Sequence, residues 1–96
     1  MKPSEALELH RADIRRIVEM HHGLKVRVFG SVLYGEDTED SDLDLLVEPT
    51  LETSLLDIAK IQVSLEKLLG VRIDVVTPRA LPESFRSKVL ESAVQL

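Results

Sequence analysis

Three aspartates carry most of the chemistry that this 96-residue sequence can offer. Asp42 and Asp44 lie two residues apart in Asp42-Leu43-Asp44-Leu45-Leu46-Val47. On an extended strand both carboxylates therefore project from one side. Asp74 lies in the mostly apolar run Val71-Arg72-Ile73-Asp74-Val75-Val76. A carboxylate there is costly to bury unless something compensates its lost hydration. If the two strands are neighbours, all three carboxylates converge on one spot. Three hard oxygen ligands suit Mg²⁺ or Mn²⁺, and two such ions about 3.5–4 Å apart are the usual device for in-line displacement at phosphorus. Gly30-Ser31 supplies the complementary half. Glycine lets an anion approach the backbone, the turn exposes amide N–H groups, and the serine hydroxyl adds a donor. An Asp-x-Asp in an acidic stretch is by itself usually solvated surface. Gly30-Ser31, Asp42-x-Asp44 and Asp74 together fit a metal-bridged triphosphate better than any other common ligand.

The elements that must position these residues follow from periodicity and punctuation. Glu5 to His22 reads as one amphipathic helix with Ser4 as N-cap, Leu7, Ile14, Ile17, Val18 and His21 on one side, and Gly23 as its stop. Lys25–Phe29 reads as a strand, Gly30–Gly35 as a tight segment and Glu36–Ser41 as a polar loop. Asp42–Glu48 is a second strand with Leu43, Leu45 and Val47 on the face opposite the aspartates. A helix over Leu55–Leu69 is opened by Ser54 and Asp57 in capping-box spacing and closed by Gly70. Val71–Thr77 is a third strand, and a last helix from about Pro82 is expected to bury Phe85, Val89 and Ala93. The order α-β-β-α-β-α implies a small α/β sandwich with a mixed sheet of three or four strands, in a single domain spanning residues 1–96.

Composition narrows the classes further. With no cysteine, disulfide scaffolds, thiolate metal sites and cysteine nucleophiles are excluded. Apolar runs reach only three residues, as in Leu45–Val47, so no membrane span or signal peptide is expected and the cytoplasm is the default setting. The net charge of −5 conceals an asymmetry. Val28–Ala59 holds nine acidic residues and no Lys or Arg, while the remainder holds 12 basic and eight acidic residues, a balance of +4. Such acidity, with only three aromatic residues for stacking, disfavours a nucleic-acid partner. Gly30 and Gly35 have P-loop spacing, but Glu36-Asp37 stands where Lys and Ser/Thr are needed. An EF-hand reading of Asp37, Glu39, Ser41 and Glu48 fails because Asp42 replaces the essential glycine. His10, His21 and His22 lack paired metal spacing.

The segments VFGSVLYGEDTEDSDLDLLVE and VRIDVVTPRAL resemble the minimal nucleotidyltransferases (the MNT group) of the polymerase-β-type superfamily across essentially the whole chain. The resemblance implies that Gly30 and Ser31 hold the nucleotide's phosphates. It implies that Asp42, Asp44 and Asp74 are the catalytic residues and bind two Mg²⁺ ions, with Asp74 helping to deprotonate the attacking hydroxyl. One departure stands out. Relatives often carry Arg just before the second glycine, whereas Val32, Leu33 and Tyr34 occupy that stretch here. Arg27 and Arg72 are the candidates to replace that charge.

Larger superfamily members add a domain for the acceptor. Here the acceptor must be held by another molecule or a second copy, and a protein acceptor is the better fit. Minimal nucleotidyltransferases are commonly paired with a HEPN ribonuclease toxin and act as its antitoxin, moving AMP from ATP onto a tyrosine of the toxin. The resemblance thus implies ATP as substrate, Mg²⁺ as cofactor and a HEPN toxin as partner, in a possible homo- or hetero-oligomer. The rival is a non-catalytic binding module whose acidic block docks on a basic surface of the toxin.

Overall fold

The computed structural model describes residues Met1–Leu96. Its elements are α1 (Pro3–Leu9), α2 (Arg11–Met20), β1 (Gly23–Phe29), β2 (Leu43–Pro49), α3 (Leu55–Leu69), β3 (Ile73–Val76), α4 (Glu83–Ser92) and β4 (Val94–Gln95), with 3₁₀ turns at Gly30–Val32 and Pro78–Ala80. The four strands form one mixed sheet in the order β3-β2-β1-β4. β1 runs antiparallel to β2 and to β4, and β2 runs parallel to β3. A mixed α/β sheet of this size matches the expected class, with one helix and one strand more than the expected order.

Strand alternation decides what faces the helices. Leu43, Leu45 and Val47 of β2 are fully buried, together with Val26 and Val28 of β1 and Ile73 and Val75 of β3. Ala6 and Leu7 of α1, Ile14 and Val18 of α2, and Ile61 and Leu65 of α3 close over them in a single cluster. Each such large side chain contributes roughly 1.5–3 kcal/mol of apolar transfer. The other sheet face is covered only in part. Leu46 and Leu81 are buried outside the main cluster, where the Pro78–Ala80 turn meets β2. Asp44 and Asp74 lie beyond that cover, half-buried and exposed respectively.

Helix α3 follows local rules closely. Asp57 N–H donates to Ser54 Oγ at 3.1 Å, Ser54 N–H donates to Asp57 Oδ2 at 2.9 Å, and Gly70 ends the helix at φ +71°. The first helix departs from expectation: it is two helices, broken at His10, whose ring meets Asp13 Oδ2 at 3.1 Å three residues into α2. Leu7, Ile14, Ile17 and Val18 still share the core because both helices pack on the same sheet face. Ser4 is not the N-cap. The N-cap is Lys2, whose N–H donates to Glu5 Oε1 at 2.9 Å, and the Ser4 N–H donates to the buried Asp37 Oδ2 at 2.9 Å, a further side-chain cap from 33 residues away. Gly23 is not the helix stop either. His22 takes the left-handed turn at φ +69°, steadied by Thr50 and Thr53 hydroxyls that donate to its carbonyl at 3.0 and 2.6 Å. Gly23 is small because a Cβ there would sit 2.5 Å from Val18 Cγ1.

The C-terminal segment differs too. α4 begins after Pro82 as expected but buries no residue fully: Phe85 is exposed, and Val89 and Ala93 are only partly covered. A two-residue strand follows, adding Val94 and Gln95 to the edge of β1 opposite Val28 and Arg27. At the other edge, Gln62 Oε1 and Glu66 Oε2 of α3 accept the outward N–H groups of Val75 and Ile73 at 3.3 and 3.4 Å. No helix is long and apolar enough to cross a membrane.

Candidate active site

The site is built on cross-strand rungs. In the parallel pair β2–β3, Asp44 lies directly beside Asp74, between the rungs Leu43–Ile73 and Leu45–Val75. On the other side β1 places Phe29 beside Asp44 and then turns at Gly30. Like charges on one rung destabilise a sheet. Here burial comes first, then the negative charges of Asp74 and Asp42, and together they push the Asp44 carboxyl up from an ordinary 3.8 to about 6. A half-buried carboxylate forced against an exposed one does nothing for the fold. A cation relieves them.

Gly30 is fitted against this rung. It sits at φ +76°, and a Cβ there would lie 2.2 Å from Asp44 Oδ2. Any side chain at this position would displace the carboxylate. The chain then makes one 3₁₀ turn, with Leu33 N–H donating to the Gly30 carbonyl at 3.1 Å. Gly35 at φ +69° reverses it, and Glu36 N–H donates to the Ser31 carbonyl at 2.9 Å, closing the loop. Ser31 is thereby held, partly exposed, directly after the glycine that touches Asp44.

Just ahead of both strands lies a pair of opposite charge. Arg72 Nε donates to Asp42 Oδ1 at 2.9 Å, and Arg72 Nη2 donates to the Asp40 carbonyl. Both side chains are largely exposed. Asp42, one residue ahead of β2, is near enough for its charge to act on Asp44, but the three carboxylates do not close into a single ligand cluster. Arg27, the other arginine on this face, is committed elsewhere: its Nη2 donates to Glu48 Oε2 at 3.1 Å. The Arg72–Asp42 pairing was open to a closer reading of the sequence, since residues two before Asp44 and Asp74 share their register. The Asp37 cap had no comparable signal.

The donor set fits a hard divalent cation: carboxylates only, with Asp44 carrying uncompensated repulsion, and a glycine that leaves room beside it. The site is an open sheet face. None of the chain's four surface cavities is lined by Gly30, Ser31, Asp42, Asp44 or Asp74.

A mixed sheet that presents aspartates from two parallel neighbours beside a Gly-Ser turn suits the class of enzymes that transfer nucleotidyl groups with a divalent ion. Comparison with known proteins agrees. Residues 10–96 match the nucleotidyltransferase domain family. Protein adenylyltransferase MntA of Thermococcus cleftensis is 36% identical over 88 residues, which cover 92% of this chain and 86% of the relative. A solved chain described as a minimal nucleotidyltransferase is 45% identical with a TM-score of 0.86, covering 97% of this chain and 95% of its own. A toxin–antitoxin crystal structure with AMP-PNP shares the fold at 19% identity, with a TM-score of 0.74, over 88% of this chain and 69% of that one. The chain belongs to the nucleotidyltransferase domain family, in its minimal form.

Proposed function

We propose that this protein is an Mg²⁺-dependent protein adenylyltransferase that acts as an antitoxin, transferring AMP from ATP to a tyrosine of a HEPN ribonuclease toxin in the cytoplasm. The observation that carries the reading is the Asp44–Asp74 rung with Gly30 packed against it. The 36% identity to a named protein adenylyltransferase, over most of both chains, supports the acceptor class. The toxin–antitoxin structure with AMP-PNP supplies the precedent for partner and nucleotide on this fold.

Asp42, Asp44 and Asp74 would hold the Mg²⁺, most naturally two ions. When bound, Mg²⁺ offsets the charge of the triphosphate and lowers the pKa of an oxygen it ligates. Gly30 and Ser31 would bind phosphate oxygens through backbone N–H groups and the serine hydroxyl. The tyrosine oxygen forms a bond to the α-phosphorus, and the bond from that phosphorus to pyrophosphate breaks. Free tyrosine has a pKa of about 10, so its proton needs an acceptor. Asp74, exposed on the edge strand, would take it. Because residues 1–96 wall off no acceptor pocket, the partner itself would cover the open face in a hetero-oligomer.

The test is intact-mass analysis of the HEPN partner after incubation with this protein, ATP and Mg²⁺. A mass gain of AMP that requires both ATP and the divalent ion is expected, and Asp42→Asn is expected to abolish it. A stable, salt-sensitive complex without any mass gain would overturn catalysis in favour of simple blocking. Labelling that survives Asp42→Asn would overturn the residue assignment.

A further inference from the structure

The Asp42–Arg72 pair, one residue ahead of β2 and β3, is not explained by the carboxylates alone. Arg72 uses two nitrogens on two oxygens, one from the Asp42 carboxylate and one from the Asp40 carbonyl. The side chains of Arg72 and Asp42 are 71% and 50% exposed, so the pair is weak and readily exchanged. No Lys or Arg occurs between Val28 and Ala59, and Arg27 is 17% exposed and tied to Glu48. Arg72, the guanidinium bonded to Asp42, is therefore free to change partner. Its planar fork suits the oxygens of phosphate better than a single carboxylate oxygen. A guanidinium seated on Asp42 Oδ1 offsets the negative charge that Asp42 would offer a cation.

Resting on the nucleotidyl-transfer reading, we propose that Arg72 is a positioning residue that exchanges partners. It holds Asp42 in the free protein and moves to the phosphates of the nucleotide once Asp42 turns to a cation. Arg72 thereby supplies positive charge to the phosphates, and it couples the two binding events. The free protein resists cations at Asp42, and the nucleotide removes that resistance by drawing Arg72 away.

Two binding measurements without turnover test this, with Arg72→Gln as the variant. Mn²⁺ alone is titrated by electron paramagnetic resonance, and AMP-PNP with Mg²⁺ is titrated by calorimetry. Arg72→Gln is expected to bind Mn²⁺ about two- to fivefold more tightly, because an exposed ion pair no longer competes. It is expected to bind AMP-PNP about tenfold more weakly, having lost charge-assisted hydrogen bonds. Removal of one positive charge would by itself tighten Mn²⁺ and weaken AMP-PNP, so the Mn²⁺ titration is repeated with AMP-PNP bound: exchange predicts that the gain disappears there, and a gain that persists overturns it. Unchanged or weaker Mn²⁺ binding, or unchanged AMP-PNP binding, overturns the exchange while leaving the nucleotidyl-transfer reading in place. A wild-type protein that binds neither probe overturns both.

Discussion

Replacing Asp44 by Asn should make the protein more stable and inactive, and the gain should depend on pH in a defined way. The folded chain holds the Asp44 proton to about pH 6, because burial and the charges of Asp74 and Asp42 oppose ionisation. The unfolded chain releases it near 4. Between those values the folded state binds more protons, so wild-type stability falls as pH rises from about 4 to 7. Each pH unit of displacement is worth about 1.36 kcal/mol, giving a ceiling of about 3 kcal/mol. Asp44 is only half-buried, and solvent screening reduces this to about 1–2 kcal/mol. For a domain of this size that corresponds to roughly 5–10 °C in melting temperature. Thermal unfolding followed by circular dichroism, in EDTA and across pH 4 to 8, measures it. Asp44→Asn and wild type should melt together near pH 4 and separate progressively, with the variant higher at pH 8. Added Mg²⁺ should then raise the wild type alone. A difference of the same size at every pH, or a variant that melts lower at pH 8, would refute the argument.

Gly30→Ala should cost about 1–2 kcal/mol through its left-handed backbone alone. By pushing Asp44 aside it should also slow AMP transfer about a hundredfold, read from denaturant curves and a labelling time course. Gly23→Ala forces a Cβ onto Val18 and should cost about 1–3 kcal/mol by overpacking. It should leave AMP-PNP affinity unchanged, which calorimetry would show. Asp37→Ala removes one side-chain cap of α1 and should cost about 0.5–2 kcal/mol. The Ser4 N–H holds the Asp37 carboxyl below the usual carboxylate range, so this stabilisation is complete above the ordinary value and lost as acid protonates the folded form. The variant's urea midpoint should accordingly vary less with pH below about 5 than that of wild type.

What could be read in advance was whatever short-range rules decide. Ser54, Asp57 and Gly70 delimit α3 through contacts within one turn, and period-two alternation set Asp44 on the face opposite Leu43, Leu45 and Val47. The pairing of Asp44 with Asp74 needed only that the two strands be neighbours, whereas Asp42 falls just ahead of β2 and is held by Arg72. What escaped depends on residues far apart in sequence. The break at His10 leaves the apolar stripe intact, since α1 and α2 serve the same core. The cap from Asp37 and the pairing of Val94 with Val28 join segments that no local pattern links. Phe85 was assigned to the core because apolar residues at helical spacing usually face one. The sheet face that α4 could have covered is instead met by the Pro78–Ala80 turn and Leu81, leaving Phe85 exposed.

Gln62 and Glu66 have a consequence for which substitutions the chain tolerates. Both look like ordinary polar positions on a helix surface, where exchanges among Gln, Glu, Lys and Arg are normally neutral. Here each is an acceptor for an N–H of β3. A lysine at either position would set donor against donor and uncover the rim of the sheet on the strand that carries Asp74. Sequence drift at these two sites should therefore be confined to side chains with an acceptor oxygen at the same reach. A change that a helix scale scores as harmless would instead offer β3 to the edge strand of any neighbouring molecule.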